Sequence, residues 1–185
     1  MKNIMLTTSS LLGRVCDIAG WLGAILFLLI ALLMVGQSVG RAFGIAMVGG
    51  DEITGWMNAS AGFVALAYTF RQGGLIRMEM LLDKVRPEQR AIVELVALSV
   101  GTLWCSYMAA AMSYFVYQNF VAHERSTGLI SIPMWPIQIP TCFGMLLLAL
   151  VFLEQWIKVY SGLEPDYVVV AKQNRVTDEV SSEGV

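Results

Sequence analysis

Charged residues are scarce in this chain, and histidine is almost absent. Only 14% of the residues are charged, whereas 57% are hydrophobic, and the mean hydropathy is +0.66. A soluble domain usually carries about 25% charged residues, so water cannot be the main solvent of this chain. The net charge of −2 provides no basic field of the kind that attracts nucleic acid. We therefore expect a lipid bilayer as the main environment and no nucleic-acid partner.

The usual signatures of catalysis and cofactor binding are also missing. The single histidine, His123, excludes a bis-histidine haem site, and the sequence contains no GxxxxGK[ST], HExxH or GxSxG motif. The cysteines Cys16, Cys105 and Cys142 are far apart and lie in or beside apolar runs, which is typical of small buried side chains. We expect no catalytic residue, no metal site and no cofactor.

Long apolar runs are abundant. Four runs, at about 18–39, 53–70, 91–120 and 134–153, are long enough for a bilayer core of roughly 30 Å, which takes about 20 helical residues. Because lipid offers the backbone no hydrogen-bond partners, each run should be an α-helix. The prediction is an all-α integral membrane domain over residues 1–160 with four transmembrane helices. The tail 161–185 should be disordered, although "YVVV" at 167–170 could pair or dock.

Basic residues concentrate in three flanking segments. Of the twelve lysines and arginines, only Arg41 and Arg125 lie in the first and third connections; the other ten precede span one, separate spans two and three, or follow span four. Basic flanks stay on the cytoplasmic side of a membrane. Both termini and the 71–90 segment should therefore be cytoplasmic, and the connections 41–52 and 121–133 should face outward.

Ionisable residues are nearly absent from the predicted spans. Glu94 falls near one end of the third span, and other polar residues, such as Asn58 and Gln37, are neutral. Intramembrane charges mark ion and substrate pathways, so a transporter that acts alone should hold a central carboxylate. The neutral groups are typical of hydrogen bonds between helices, with direct substrate or ion contact as the alternative. No substrate-binding residue can be named from the sequence.

Small residues recur at helical spacing in and beside the first two spans. They are Gly36, Gly40 and Gly44, and then Gly55, Ala59 and Gly62. Faces of this kind let helices approach closely. They indicate packing either within this chain or against a second membrane protein, and the pattern does not distinguish the two.

The segment between spans two and three is amphipathic. Its apolar residues recur at i, i+3, i+4 and i+7, and its charges occupy other faces, which predicts a short helix in the headgroup layer within the linker 71–86. A docking arm for a partner subunit is the second interpretation. The candidate residues of this arm are Arg77, Met78, Leu81, Leu82, Lys84 and Val85. Gly73-Gly74 lies between two helices, which favours a flexible break over a phosphate cradle.

Two motifs in this order resemble a known family. The first comprises Arg71, Gly73-Gly74, Ile76-Arg77-Met78, Leu81-Leu82 and Pro87–Arg90; the second is "STGLISIPMWPIQIP", with Pro133, Trp135 and Pro140. Together with the four spans and the inside termini, they resemble the small membrane subunit of TRAP transporters (tripartite ATP-independent periplasmic transporters, DctQ-like) over about residues 15–160. Leu75 stands where that family commonly has a histidine.

The resemblance implies a non-enzymatic scaffold subunit in the bacterial inner (cytoplasmic) membrane. In such a sodium-coupled system, a periplasmic binding protein (DctP-like) delivers an organic acid to a large membrane subunit (DctM-like), which carries the substrate and sodium sites. The small subunit supports and orients the large one. The alternatives are the membrane anchor of a respiratory or redox complex and an independent small exporter. The substrate is not indicated.

Overall fold

Four long helices make up most of the chain. The computed structural model describes residues 2–45, 48–73, 87–163 and 165–170. The helices are α1 (Lys2–Ala42), α2 (Gly50–Arg71), α3 (Pro87–Val121) and α4 (Met134–Tyr160), and a short α5 covers 166–170. In these ranges the only β-structure is an isolated bridge between Arg125 and Pro133. The prediction of an all-α protein is therefore confirmed.

Three of the helices are long and apolar enough to cross a membrane. They are Ser9–Ala42 within α1, Ile92–Val121 within α3, and all of α4, Met134–Tyr160. Helix α2 coincides with the predicted second span but is not among the three, because residues such as Trp56 and Asn58 reduce its mean hydropathy. The described residues therefore support an all-α membrane protein, and four membrane crossings stay a prediction.

The helix ends follow local backbone chemistry and not hydropathy alone. Helix α1 begins at Lys2, well before the apolar run, and α4 continues to Tyr160. Helix α2 ends where Gly73 adopts a left-handed conformation with a φ of 74°, which glycine reaches without the steric cost of a Cβ atom. The predicted amphipathic helix within 71–86 begins beyond this point, and residues 74–86 lie outside the described part of the chain.

The helices pack in the order α1, α2, α4, α3. Helix α2 packs against α1 and α4, α4 also packs against α3, and α1 touches α4 at only a few positions. The buried core lies between these neighbours and contains Cys16, Ala19, Val64, Ala67, Phe70, Leu98, Cys105, Leu147, Leu148, Val151 and Tyr167. We call the end where α2 and α4 finish the tail end, and the opposite end, with the α1–α2 and α3–α4 connections, the loop end.

Small residues set the closest helix contacts. A Cβ atom built on Gly144 of α4 would lie 2.5 Å from the backbone carbonyl carbon and oxygen of Phe63 in α2. Between α1 and α2, a Cβ on Gly23 would lie 2.8 Å from the Cβ of Ala65, and one on Gly20 would lie 2.6 Å from the ring of Tyr68. Glycine at these three positions lets the helices approach more closely than a larger residue would allow, and at Gly144 the approach reaches the backbone of α2.

Candidate functional site

Four charged side chains meet at the tail end, and we call them the charge cluster. Arg71 is the last residue of α2, and Glu154 and Lys158 lie one turn apart on α4. Asp166 is the first residue of α5. The cluster therefore joins Arg71 of α2 to residues of α4 and α5 that follow it by more than 80 positions in sequence, and Ser9 of α1 adds a fourth element.

Close ion pairs hold the cluster together. The Asp166 carboxylate oxygen Oδ2 lies 2.7 Å from Lys158 Nζ and 3.1 Å from Arg71 Nη2. Lys158 Nζ also lies 2.7 Å from Oε1 of Glu154. The other carboxylate oxygen of Glu154, Oε2, lies 3.7 Å from Arg71 Nη1. The hydroxyl of Ser9 accepts a hydrogen bond from Lys158 Nζ at 2.8 Å, and its carbonyl accepts one from Arg71 at 3.0 Å. Two positive charges thus face two negative ones.

Because the charge cluster is largely buried, the equal number of positive and negative charges in it matters for stability. The side chains of Lys158 and Glu154 are only 9% and 10% exposed, and that of Arg71 is 16% exposed. A buried charge without a partner is strongly unfavourable, and removing one member of a buried pair usually costs much more than removing an exposed one. The cluster therefore ties α1, α2, α4 and α5 together in one arrangement.

The pKa of the Asp166 carboxylate is set by its burial and by its polar and charged neighbours. Burial alone would raise its pKa, but hydrogen bonds from Lys158 and Gln155 and the positive charges of Lys158 and Arg71 outweigh burial and lower the pKa of Asp166 below 3.8. Gln155 contributes twice, since its amide donates to the carboxylate at 3.2 Å and its carbonyl accepts the Asp166 backbone N–H at 2.9 Å. The ionised form is the one that the folded protein favours.

The stability that Asp166→Asn loses relative to wild type should depend on pH. A group whose pKa is lowered on folding contributes stability above its unfolded pKa, and this contribution disappears as the pH falls through the folded pKa. At pH 7 the variant should therefore lose about 1.5–3 kcal/mol, the range for hydrogen bonds to charged groups. The difference from wild type should begin to narrow as the pH falls past 3.8, the ordinary pKa of this carboxyl, and should close once the pH lies below its lowered pKa in the folded protein. Melting curves in detergent between pH 7 and pH 3 measure it.

Asp51→Asn is the control for this experiment. Asp51 pairs with Arg41 at 3.2 Å, but the two side chains are 85% and 64% exposed, so the loss at pH 7 should stay within about 1 kcal/mol. A difference between Asp166→Asn and wild type that persists unchanged at pH 3 would contradict the assigned role of the carboxylate.

The segment after α4 is anchored beside the charge cluster. Tyr167 is buried, its ring centroid lies 5.9 Å from that of Phe70, and its hydroxyl donates to the carboxylate of Glu94 on α3. The expectation of a disordered tail from residue 161 is therefore wrong for residues 165–170, which follow the docking alternative. Residues 171–185 lie outside the described ranges.

A second set of contacts fixes the loop end. Glu52, in the first turn of α2, accepts a hydrogen bond from the backbone N–H of Leu129 at 2.6 Å. A Cβ on Gly128 would collide with the same carboxylate. The α3–α4 connection therefore docks on the N-terminus of α2, where a carboxylate is favoured by the helix dipole.

The predicted small-residue face divides between two environments. In α2, Gly55, Ala59 and Gly62 are exposed, and Cβ atoms on the two glycines would meet nothing within 4 Å. Gly36 of α1 is equally open, whereas a Cβ on Gly40 would lie 3.1 Å from the carbonyl oxygen of Ile45. Gly44 lies just after α1 with a φ of 76° and open space around it. Among the residues described, the α2 face takes no part in packing within the chain.

Only some of the family-motif positions lie in the part of the chain that the structure describes. Arg71 lies in the charge cluster, Pro133 is the N-cap residue of α4, and Pro140 lies within α4. The ring of Trp135 packs edge-on against Phe120 at a centroid distance of 5.4 Å, which links α4 to α3. Gly74 and all of the arm residues from Arg77 to Val85 lie outside the described ranges.

Three members of the charge cluster were missed by sequence reasoning. Lys158 was counted among the basic residues that follow span four, yet it is buried, and Glu154 and Asp166 were given no role. One signal was present, since Glu154 and Lys158 form an i, i+4 pair at the same end of the fold as Arg71.

Within the described ranges, no group of three or more histidine, cysteine, aspartate or glutamate side chains could hold a metal ion.

These observations define a class of protein. Long apolar helices with bulky side chains turned outward, and few charges in their central stretches, describe an integral membrane protein whose polar network is structural. Residues 11–162 match the family described as "Tripartite ATP-independent periplasmic transporters, DctQ component". The chain belongs to this family, which confirms the resemblance, and the family is a transporter component and not an enzyme. Comparisons with curated proteins and with solved structures found no match.

Proposed function

We propose that this chain is the small scaffold subunit of a sodium-coupled secondary transporter that imports organic acids. In this proposal a periplasmic binding protein delivers the substrate, and a large membrane subunit carries the substrate and sodium sites. The small subunit lies in the bacterial inner membrane, where it supports and orients the large subunit. Family membership supports a place in a tripartite transporter, and the remaining roles are inferred from the chain's chemistry.

The absence of charge at membrane depth is the observation that carries the proposal. The predicted spans 18–39, 53–70 and 134–153 contain no aspartate, glutamate, lysine or arginine, and the span 91–120 contains only Glu94, near one end. Sodium and carboxylate substrates need polar or charged partners inside the membrane. A chain without them is suited to packing against a transport subunit and not to carrying the substrate itself.

Helix α2 is proposed as the fourth membrane span. Its 22 residues extend about 33 Å at 1.5 Å per residue, which is enough for a bilayer core of roughly 30 Å. Its position between α1 and α4 reduces its contact with lipid. The hydroxyls of Thr54, Ser60 and Thr69 donate to carbonyls one turn earlier in the same helix.

The orientation follows from the same scheme. Both termini, the tail end and the 71–86 arm lie in the cytoplasm, and the loop end lies in the periplasm. The distribution of basic residues supports this arrangement. The arm residues Arg77, Met78, Leu81, Leu82, Lys84 and Val85 are proposed to seat the segment on the membrane surface or against the partner.

Co-purification and reconstitution test the proposal. The tagged chain, expressed with its large subunit, should recover that subunit in a 1:1 complex from detergent extracts. Vesicles that contain the complex should take up an organic acid when a sodium gradient and the binding protein are present. Vesicles that contain the chain alone should show no uptake.

Two results would overturn the scaffold role. Substrate flux through the isolated chain would identify an independent transporter. A haem or quinone spectrum in the purified complex, together with no large transport subunit, would identify the anchor of a redox enzyme.

A further inference from the structure

We infer that the open face of α2, together with the groove that it forms with α1, binds one transmembrane helix of the large subunit. This surface comprises Gly55, Asn58, Ala59 and Gly62 on α2, and the groove is also lined by Ile30, Met34, Gln37, Ser38, Arg41, Asp51 and Thr54. We call it the α2 surface. The inference rests on the proposed function and specifies where the partner binds.

The α2 surface is shaped for close approach by another helix. Its small residues are exposed, and the space beside Gly55 and Gly62 is open to at least 4 Å from a built Cβ. The chain's internal contacts use other glycines, such as Gly23 and Gly144, at backbone-contact distances. The α2 surface therefore has the composition of a helix interface, but among the described residues no helix lies against its small side chains.

The open stripe of α4 has the opposite character. It consists of bulky apolar side chains that are 39–52% exposed: Ile139, Phe143, Leu146, Leu150, Leu153 and Ile157. Such side chains are well solvated by lipid tails and carry no polar atoms that need partners. Of the two central helices, α2 is thus the one whose exposed face is unsuited to lipid.

Polar groups at membrane depth select a protein as the occupant. Asn58 is exposed within the apolar range 53–70, and no hydrogen bond joins it to the described residues. Gln37 and Thr54 share a hydrogen bond of 3.3 Å beside the groove, and Ser38 lines the groove as well. A lipid tail cannot bond to an amide, whereas a side chain of a neighbouring helix can.

The loop-end mouth of the groove adds an electrostatic requirement. The exposed Arg41–Asp51 pair lies there, with a distance of 3.2 Å between Nη2 and Oδ1. The expected occupant is an apolar helix with small residues opposite Gly55 and Gly62, a hydrogen-bonding side chain opposite Asn58, and polar residues where it leaves the membrane. Because the family is one component of a tripartite transporter, the large membrane subunit is the partner that meets this description.

Tryptophan substitution provides a matched test. Gly55→Trp and Gly62→Trp place a large side chain on the α2 surface at positions where a built Cβ meets nothing within 4 Å among the described residues, and they should reduce recovery of the large subunit at least about tenfold. Gly36→Trp is the control, because the residue is equally open but does not line the groove. Its recovery should stay within about twofold of wild type. The melting temperature of each isolated variant verifies that the chain is folded.

A photocrosslinker at Ala59 identifies the occupant directly. Benzoyl-phenylalanine at this position should crosslink to the large subunit in membranes. Crosslinking to a second copy of this chain or to lipid alone would overturn the inference, as would equal loss of recovery in Gly36→Trp and Gly62→Trp. If the wild-type chain recovers no large subunit, the proposed function fails; normal recovery with all three tryptophan variants overturns only the assigned surface.

Discussion

Arg71→Leu should destabilise the protein by about 3–5 kcal/mol, the range for breaking a buried ion pair from one side. The substitution leaves Glu154 and Asp166 with Lys158 as the only remaining cation of the charge cluster. One buried negative charge then has no partner, and the leucine cannot replace the hydrogen bond that Arg71 donates to the Ser9 carbonyl. Thermal and denaturant unfolding in detergent, followed by circular dichroism, measures the loss.

Arg41→Leu is a closely matched control. Both arginines approach an aspartate oxygen at nearly the same distance, 3.1 Å for Arg71 and 3.2 Å for Arg41, but the second pair is largely exposed. Its removal should cost at most about 1 kcal/mol. The double variant Arg71→Leu/Asp166→Asn removes one charge of each sign and should be more stable than the sum of the two single losses predicts. Equal losses for the two arginines would show that burial does not matter here.

Gly144→Ala should have the second large effect. The added methyl group would meet the backbone of Phe63 and Val64 at 2.5–2.7 Å, and helix backbones cannot give way as a flexible side chain can. Helices α2 and α4 would have to move apart, and the contacts between them would be weakened. Overpacking of this kind costs about 1–3 kcal/mol and occasionally more, and the melting temperature in detergent should fall accordingly.

Gly36→Ala makes the same chemical change where there is room for it. Nothing lies within 4 Å of the built Cβ, and alanine is favoured over glycine in a helix by up to about 1 kcal/mol. This variant should be as stable as wild type or slightly more stable. If Gly144→Ala melts at the wild-type temperature, helices α2 and α4 can accommodate the added methyl group, and the assigned close contact would be wrong.

Much of the fold was predictable because lipid restricts the possible structures. The need to satisfy backbone groups turns each long apolar run into a helix, and all four runs lie within helices. The packing order α1, α2, α4, α3 was not predictable, since hydropathy does not say which helix lies at the centre.

The candidate site was less accessible to sequence reasoning. Arg71 was identified through the family motif, but its partners lie on α1, α4 and α5, and pairing at such separations leaves no local pattern. Spacing also marked small residues without saying what they contact. Gly20, Gly23 and Gly144 mediate the close helix contacts, whereas Gly55 and Gly62 face open space, because an outward face and a buried face can share the same spacing.

The packing order also has a consequence for how the chain is made. Helices α1 and α2 form one hairpin and α3 and α4 form another, and the α2–α4 seam joins the two. Before the hairpins join, Glu154 and Lys158 already neutralise each other on one helix, whereas Arg71 of the first hairpin lacks the carboxylates that later surround it. In the proposed orientation, a basic residue at this position favours the cytoplasmic side for its end of the hairpin during insertion. The same guanidinium would then act first as a topology signal and afterwards, once the second hairpin packs against the first, as a buried ion-pair partner.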